Sequence, residues 1–325
     1  MDRIAEKITV VIPNFNGAAE LTGCVESVLR ELPASAVIVV DDGSTDDSAE
    51  HLTQAHPDVR LIKNGRNEGF AHAVNRGIRE ADTPYVFLLN NDARIQPGAL
   101  HTLLQTMEET GGRTFSVGAK MLTRTEPRRI DNCGDLYCVL GWAFTPGKDA
   151  DAGWYSHRAA VTSACAGAAL YRREELLQLG GFDEAHFCYL EDVDLGIRAR
   201  LHGYRNLYEP RALVLHTGSA TSGSRHNAFK VRLTAGNNLY LLRKNFPAGV
   251  LLLHLPQLAA GVIIKGIYFG RKGLGKAYLA GLREGIAKIR AGRDRQIRPA
   301  DAGQWMHLFR LVFEMHINLI RRAVG

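Results

Sequence analysis

Four short apolar runs, separated by helical patterns, constrain this chain more than any other feature. They are Ile8–Pro13, Ala36–Val40, Val59–Ile62 and Tyr85–Leu89, rich in Val, Ile and Leu. Runs so nearly free of polar residues belong to strands covered on both faces. Between and after them, helical patterns cover about 18–31, 69–80 and 97–109. A further helix is expected to open at Ser44, which has the spacing of a capping box with Asp47. Strands are expected again near 116–122, 168–171 and 212–216, with helices near 174–179, 192–201 and 227–244. Strand alternating with helix predicts an α/β fold, Rossmann-type, with a mostly parallel sheet under helices. Residues 124–165, where Gly, Pro, Trp and Cys mix without period, read as an insertion beside the site.

Charge divides the chain unevenly. The whole carries 40 Lys and Arg against 34 Asp and Glu, a net of +6. Residues 265–325 hold 13 of the basic residues and only four acids (Glu284, Asp294, Asp301 and Glu314), a net of +9. The first 264 residues are therefore at −3, from 27 basic and 30 acidic. A slightly acidic body excludes nucleic acid as its main partner, because a phosphate backbone needs a basic face. Ahead of the basic tail, no residue between Lys244 and Lys265 is charged, but Pro247 and Pro256 interrupt the stretch. That pairing fits an interfacial anchor on anionic lipid better than a membrane span. Loss of 246–325 is expected to release the protein from membranes. The five scattered cysteines and an N-terminus without an apolar signal core predict a reducing, cytoplasmic location.

Ligands of parallel sheets bind where strands end, and polar residues gather there: Asn14 and Asn16, Asp41 and Asp42, and Asn90 to Asp92. Asp42, before a Gly turn, can accept hydrogen bonds from a base or ribose. Asp92 offers an oxygen ligand of the kind that holds Mg²⁺ or Mn²⁺ against a phosphate. His216 ends the last strand and is either a nitrogen ligand or a strand-end histidine. Glu191-Asp192-x-Asp194 opens a helix whose dipole favours acids, and one of the three can act as a base. The Gly-containing segment near Gly69 is neither a Walker loop nor a dinucleotide fingerprint.

These segments, taken in order, resemble family 2 glycosyltransferases of the GT-A fold, in the bacterial rhamnosyltransferase-like branch that builds cell-surface polysaccharides. The resemblance rests on Val10–Gly17, Val39–Asp46, Asn67–Ala71, Asn75–Gly77, Leu88–Asp92, Gly180–Glu184, Glu191–Leu195 and His216. It spans about Ile8 to Thr221. It implies an inverting transfer from a nucleotide-sugar donor to a saccharide or lipid-linked saccharide acceptor. Pro13, Asn14, Asn16, Asp42 and Asn91 would belong to the donor site, with Asp42 accepting from N3–H of uracil or thymine. Gly69, Phe70 and Asn75 match a segment that closes over the nucleotide. The family's Asp-x-Asp metal motif departs here to Asn90-Asn91-Asp92, leaving Asp92, with His216, to hold Mg²⁺ or Mn²⁺. Asp192 matches the catalytic base, with Glu191 beside it. Trp142 and Trp154 are expected near the acceptor. The expected organisation is a catalytic domain over 1–224, with a nucleotide-binding half at 1–123 and an acceptor half at 124–224. A helical, basic extension over 225–325 would attach it to the inner face of the plasma membrane. A sugar nucleotidyltransferase, or a non-catalytic membrane-surface scaffold, are the alternatives.

Overall fold

The computed structural model describes residues 2–218, 227–292 and 299–324. Thr221, the expected boundary at 224, and the charges from Arg293 to Arg298 lie outside them.

In chain order the strands are β1 (Ile8–Asn14), β2 (Val37–Asp41), β3 (Arg60–Lys63), β4 (Tyr85–Leu89), β5 (Ala93–Ile95) and β6 (Thr114–Thr123). Then follow β7 (Ile130–Asn132), β8 (Leu136–Cys138), β9 (Trp142–Phe144), β10 (Ala159–Val161), β11 (Ala168–Arg172) and β12 (Arg205–His216). The main sheet runs β10-β12-β6-β11-β4-β1-β2-β3, with β5 on β12 and β7 on β6, while β8 and β9 form a separate hairpin. β1, β2, β3 and β4 pair in parallel, and β6 pairs in parallel with β12. β11 lies antiparallel between β4 and β6, so those six parallel-paired strands all point one way. Their carboxyl ends therefore gather on one side of the molecule, which is where a site can form.

Alternation along each buried strand serves two cores. Val10, Ile12, Val37, Val39, Phe87 and Leu89 face the helices Leu21–Leu29 and Ala99–Glu109. Val11, Ile38, Val40, Val86 and Leu88 face the helices Phe70–Glu80 and Glu191–Leu201. A third core joins Tyr137, Val193 and Ile197 to Leu241, Phe246, Leu308 and Leu311. Residues on both sides of 224 thus share one apolar interior.

A buried polar knot fastens the same junction. Lys244, on the helix Ala228–Asn245, lies 2.7 Å from Asp183 Oδ2 and 2.8 Å from Asp194 Oδ2. Arg198 also pairs with Asp194 at 2.9 Å, Asn245 Nδ2 donates to Asp194 Oδ1, and the Tyr240 hydroxyl donates to Asp183. A buried cation is tolerable only when matched in this way.

Two expectations change. The helix expected at Ser44 begins at Ser48. Ser44 Oγ donates instead to Asp41 Oδ1 at 2.5 Å, and Asp46 Oδ1 receives the Ser48 hydroxyl at 2.5 Å and its backbone N–H at 3.2 Å. The last strand begins at Arg205 rather than 212, its register shifting between Glu209 and Leu213. The three-residue β5 has too little pattern to be legible. Among the described residues no helix is long and apolar enough to cross a membrane. The uncharged stretch is divided between the end of Ala228–Asn245, a short helix Ala248–Leu253, and the start of Leu255–Arg271.

Candidate active site

Where the parallel strands end, a cleft of about 960 Å³ opens, and Asp42, Asp92 and Asp192 all line it. Pro13, Asn14, Gly69, Phe70, Asn91, Glu191 and His216 line it too. Residues about 200 positions apart in the chain, Pro13 and His216, are brought together by the shared strand direction.

Asp42 is 3% exposed and its carboxylate is held on three sides. Asn64 Nδ2 donates at 2.7 Å, Gly69 N at 2.8 Å and Glu68 N at 3.1 Å. Glu68 N also reaches Oδ2 at 3.2 Å, so each Asp42 oxygen already accepts two contacts. Gly69 makes this possible. Its φ is +95°, and a Cβ there would lie 2.5 Å from the Phe187 ring. Asn14 is spent on the scaffold: Nδ2 donates to Asp41 and Ser48 at 2.9 Å, and its Oδ1 accepts from Asn91 Nδ2 at 2.8 Å.

Two predicted residues do not line the cleft. Asn16 has φ +53° and its Oδ1 accepts from Thr45 N, closing the turn after β1. Asn75 bridges the Phe182 backbone, donating to its carbonyl at 2.8 Å and accepting from its N–H at 2.9 Å. It shapes the Gly181–Glu184 turn rather than the wall. Trp154 is 67% exposed, and Trp142 donates to Gly261 O under the Arg322 guanidinium, so neither faces the cleft.

His216 sits between two carboxylates. Its Nε2 lies 3.0 Å from Asp92 Oδ1 and its Nδ1 lies 2.7 Å from Asp131 Oδ2. Burial favours the neutral ring, but the hydrogen bonds it donates to both acids outweigh it and push the pKa up to about 9. Burial opposes ionisation of Asp131 as well, yet its hydrogen bond to His216 holds it below the usual carboxylate range. The donor set fits a divalent cation: one carboxylate, one imidazole, and a second carboxylate that orients the ring from behind. Asn90 lies with its Nδ2 3.4 Å from His216 Nε2.

On the opposite wall the helix Glu191–Leu201 separates its three acids by role. Asp194 is locked in the polar knot and held far below the usual range, Lys244 and Arg198 overcoming the cost of burial. Glu191 is buried, and its Oε2 has no hydrogen-bond partner among the described residues. Burial and the charge of Asp192 hold the Glu191 pKa well above normal. Asp192 is pushed up to about 7 by burial and by Asp135, against N–H donors from Ala166 and Val193. A carboxylate near neutrality is suited to general-base work. Cys165 shares a 4.8 Å cluster with Asp135 and Asp192, and burial raises its pKa, which leaves it a thiol rather than a nucleophile.

Sequence reasoning missed Asp131 and Asp135. Both lie in the irregular insertion, where no periodicity marks an inward-facing side chain. It also missed Asn237, whose Nδ2 donates to the carbonyls of His186, Cys188 and Tyr189 at 2.8–2.9 Å. These bonds hold a segment in which Phe187, Tyr189 and Leu190 all have positive φ (62°, 70° and 69°). Such backbone persists only when its surroundings impose it, and it delivers Glu191 and Asp192 to the cleft.

The sequence profile of glycosyl transferase family 2 matches residues 9–177. A curated relative, N-acetylglucosaminyl-diphospho-decaprenol L-rhamnosyltransferase of Mycobacterium tuberculosis, is 32% identical over 231 residues, 61% of this chain and 71% of that one. Among solved structures, GalNAc-T7 with UDP, GalNAc and Mn²⁺ aligns at TM-score 0.57 and 17% identity, covering 73% of this chain and 48% of that chain. Mannosyltransferase PcManGT from Pyrobaculum calidifontis, in complex with GDP-Man and Mn²⁺, aligns at 0.54 and 19%, covering 98% and 86%. The curled, mostly parallel sheet is thus the GT-A fold, and the chain belongs to glycosyltransferase family 2.

Proposed function

We propose that this glycosyltransferase moves a sugar, with inversion, from a nucleoside-diphosphate sugar to a saccharide or lipid-linked saccharide acceptor during cell-surface polysaccharide synthesis. The observation that carries the reading is the convergence of Asp42, Asp92 and Asp192 on one cleft. The favoured donors are dTDP-rhamnose and UDP-sugars, supported by the name of the mycobacterial relative and by the place of the Asp42 carboxylate in the cleft wall. The same relative's name supports a lipid-linked acceptor, and with it a working position on the inner face of the plasma membrane.

Asp42, fixed by three donors, receives the N3–H of the base in place of one arm of the shared Glu68 N–H contact. Asp92 and His216 would hold Mg²⁺ or Mn²⁺, which supplies positive charge against the departing diphosphate. Asp131 fixes the imidazole so that Nε2 faces Asp92. Asp192 takes the proton from the acceptor hydroxyl as that oxygen attacks the anomeric carbon opposite the nucleotide. Glu191, whose burial and neighbouring Asp192 favour the protonated form, offers its orphaned Oε2 side to the acceptor or donor sugar. No covalent intermediate is needed. In this division of labour residues 1–123 hold the nucleotide, 124–224 carry the base and acceptor side, and 225–325 pack behind them.

Release of nucleoside diphosphate, followed by chromatography across dTDP-, UDP- and GDP-sugars, tests the proposal. Asp192→Asn should lower kcat by about 10²–10⁴-fold while donor binding persists. Unchanged turnover in that variant would end the assignment of the base.

A further inference from the structure

The helix Ala302–Val324 is apolar on two opposite faces. One face, with Leu308, Leu311 and Met315, is buried in the shared core. The other carries Trp305, Met306, Phe309, Phe313 and Ile320, exposed by 39% to 67%. At 100° per residue these five fall within about a third of the helix circumference. A stripe of aromatic side chains on a helix whose other side is already packed is unpartnered surface, far beyond a scattered exposed leucine.

The charges around this face say what covers it. The helices Leu255–Arg271 and Ala302–Val324 contain one acid between them, Glu314, and it is paired with Arg200 at 2.6 Å. Their cations are Lys265, Arg271, Arg310, Arg321 and Arg322. Arg310 also borders a second hollow, of about 530 Å³, lined by Arg113, Arg200, Arg205, His307 and Glu314. Among the described residues, neither Arg113 nor Arg310 has a carboxylate within bonding distance. This hollow lies at the starts of β6 and β12, remote from the cleft at their ends. The helix runs from there toward the hairpin β8–β9, where Arg322 covers Trp142 and Phe144. Midway, His316 meets His254 ring to ring at 5.2 Å, and exposed Leu253 and Leu255 flank His254. Aromatic and aliphatic groups beside unpaired guanidiniums match a bilayer surface, apolar chains below and anionic headgroups above.

Resting on the membrane position proposed above, we infer that the Trp305–Ile320 face is a bilayer-docking surface, and that the arginine hollow beside it receives the headgroup of an anionic phospholipid. The enzyme then lies with this helix along the membrane. A second copy of the chain does not match this face as well, because apposed copies would bring Arg310 and Arg321 against their own kind.

Truncation is a poor test, since residues beyond 246 complete the third core. Point changes at exposed positions are used instead. The full-length protein is sedimented with phosphatidylcholine vesicles, with and without 30% phosphatidylglycerol. The parent should bind the anionic vesicles at least tenfold more than neutral ones. Phe309→Glu with Phe313→Glu should abolish sedimentation, and Arg113→Ala with Arg310→Ala should remove the preference for phosphatidylglycerol. Leu177→Glu, at an exposed site on the catalytic body, should bind as the parent does. Nucleoside diphosphate release on a water-soluble acceptor should be unchanged in all of them, showing that they fold. If the parent binds and the Phe309/Phe313 variant binds equally, this face is wrong while membrane attachment stands. If the parent binds no vesicle, both fail. A vesicle-free dimer, seen by light scattering and dissolved by the Phe309/Phe313 change, would make a second copy the occupant and overturn the proposal.

Discussion

Burial raises Asp192 toward neutrality, and the charge of Asp135 adds to it. The Asp135 carboxylate is held by Thr145 Oγ1 at 2.7 Å and by Asn132 Nδ2, and it stands in the same 4.8 Å cluster as Asp192. Removing that negative charge makes Asp192 easier to ionise. In the parent, kcat should rise with pH along a limb near 7, the pKa of Asp192. Asp135→Asn should move the limb to lower pH, and a limb that stays put would remove Asp135 from the account. Stability carries the same sign. Asp192 binds its proton more tightly folded than unfolded, because about 7 exceeds the usual value near 4. Its favourable contribution is full below about pH 4 and fades as pH rises through 7. Asp192→Asn should therefore melt higher than the parent at pH 8 and not at pH 4. Equal melting temperatures at both pH values would contradict the raised pKa. At this scale the sequence marked Asp42, Asp92, Asp192 and His216, because each follows a strand or opens a helix in a recognisable order. It could not mark Asp131 or Asp135, whose importance lies only in what they touch across the insertion.

The strained segment before Glu191–Leu201 is where an element is most exposed to failure. Asn237 is fully buried and supplies all three bonds to its carbonyls from one amide, while Lys288 Nζ holds the other end of that amide at 2.6 Å. Asn237→Ala leaves buried acceptors unpaired, at a cost on the order of 1–3 kcal/mol. Urea unfolding should show that loss, and kcat should fall because Asp192 rides on the segment. Full stability with normal kcat would show that the loop holds itself. Strand and helix identities were largely legible here, since buried parallel strands need long apolar runs and helices need a repeating face. Helix starts were less so: Ser44 has capping chemistry, but Asp41 claims its hydroxyl first.

Across the whole molecule, the C-terminal helices are part of the fold and not an appendage. Lys244, 8% exposed, ties them to Asp183 and Asp194. Lys244→Met removes the cation that Asp183 and Asp194 share, leaving Asp194 with Arg198, and should cost about 3–5 kcal/mol. Because one apolar interior spans both regions, calorimetry should still record a single transition; two separate transitions would mean independent units. The sequence signalled a basic, uncharged-then-charged tail, but not this union, because a buried lysine reads in sequence as one more surface cation. On the proposed reading, the cleft at the strand ends holds a nucleoside-diphosphate sugar with a divalent cation at Asp92. Isothermal titration of UDP- and dTDP-sugars into the protein, with and without Mn²⁺, tests it most directly when repeated with Asp92→Asn. The account predicts binding that Mn²⁺ strengthens in the parent and leaves unchanged in the variant. Equal Mn²⁺ enhancement in both proteins, or no binding of any donor to the parent, would contradict it.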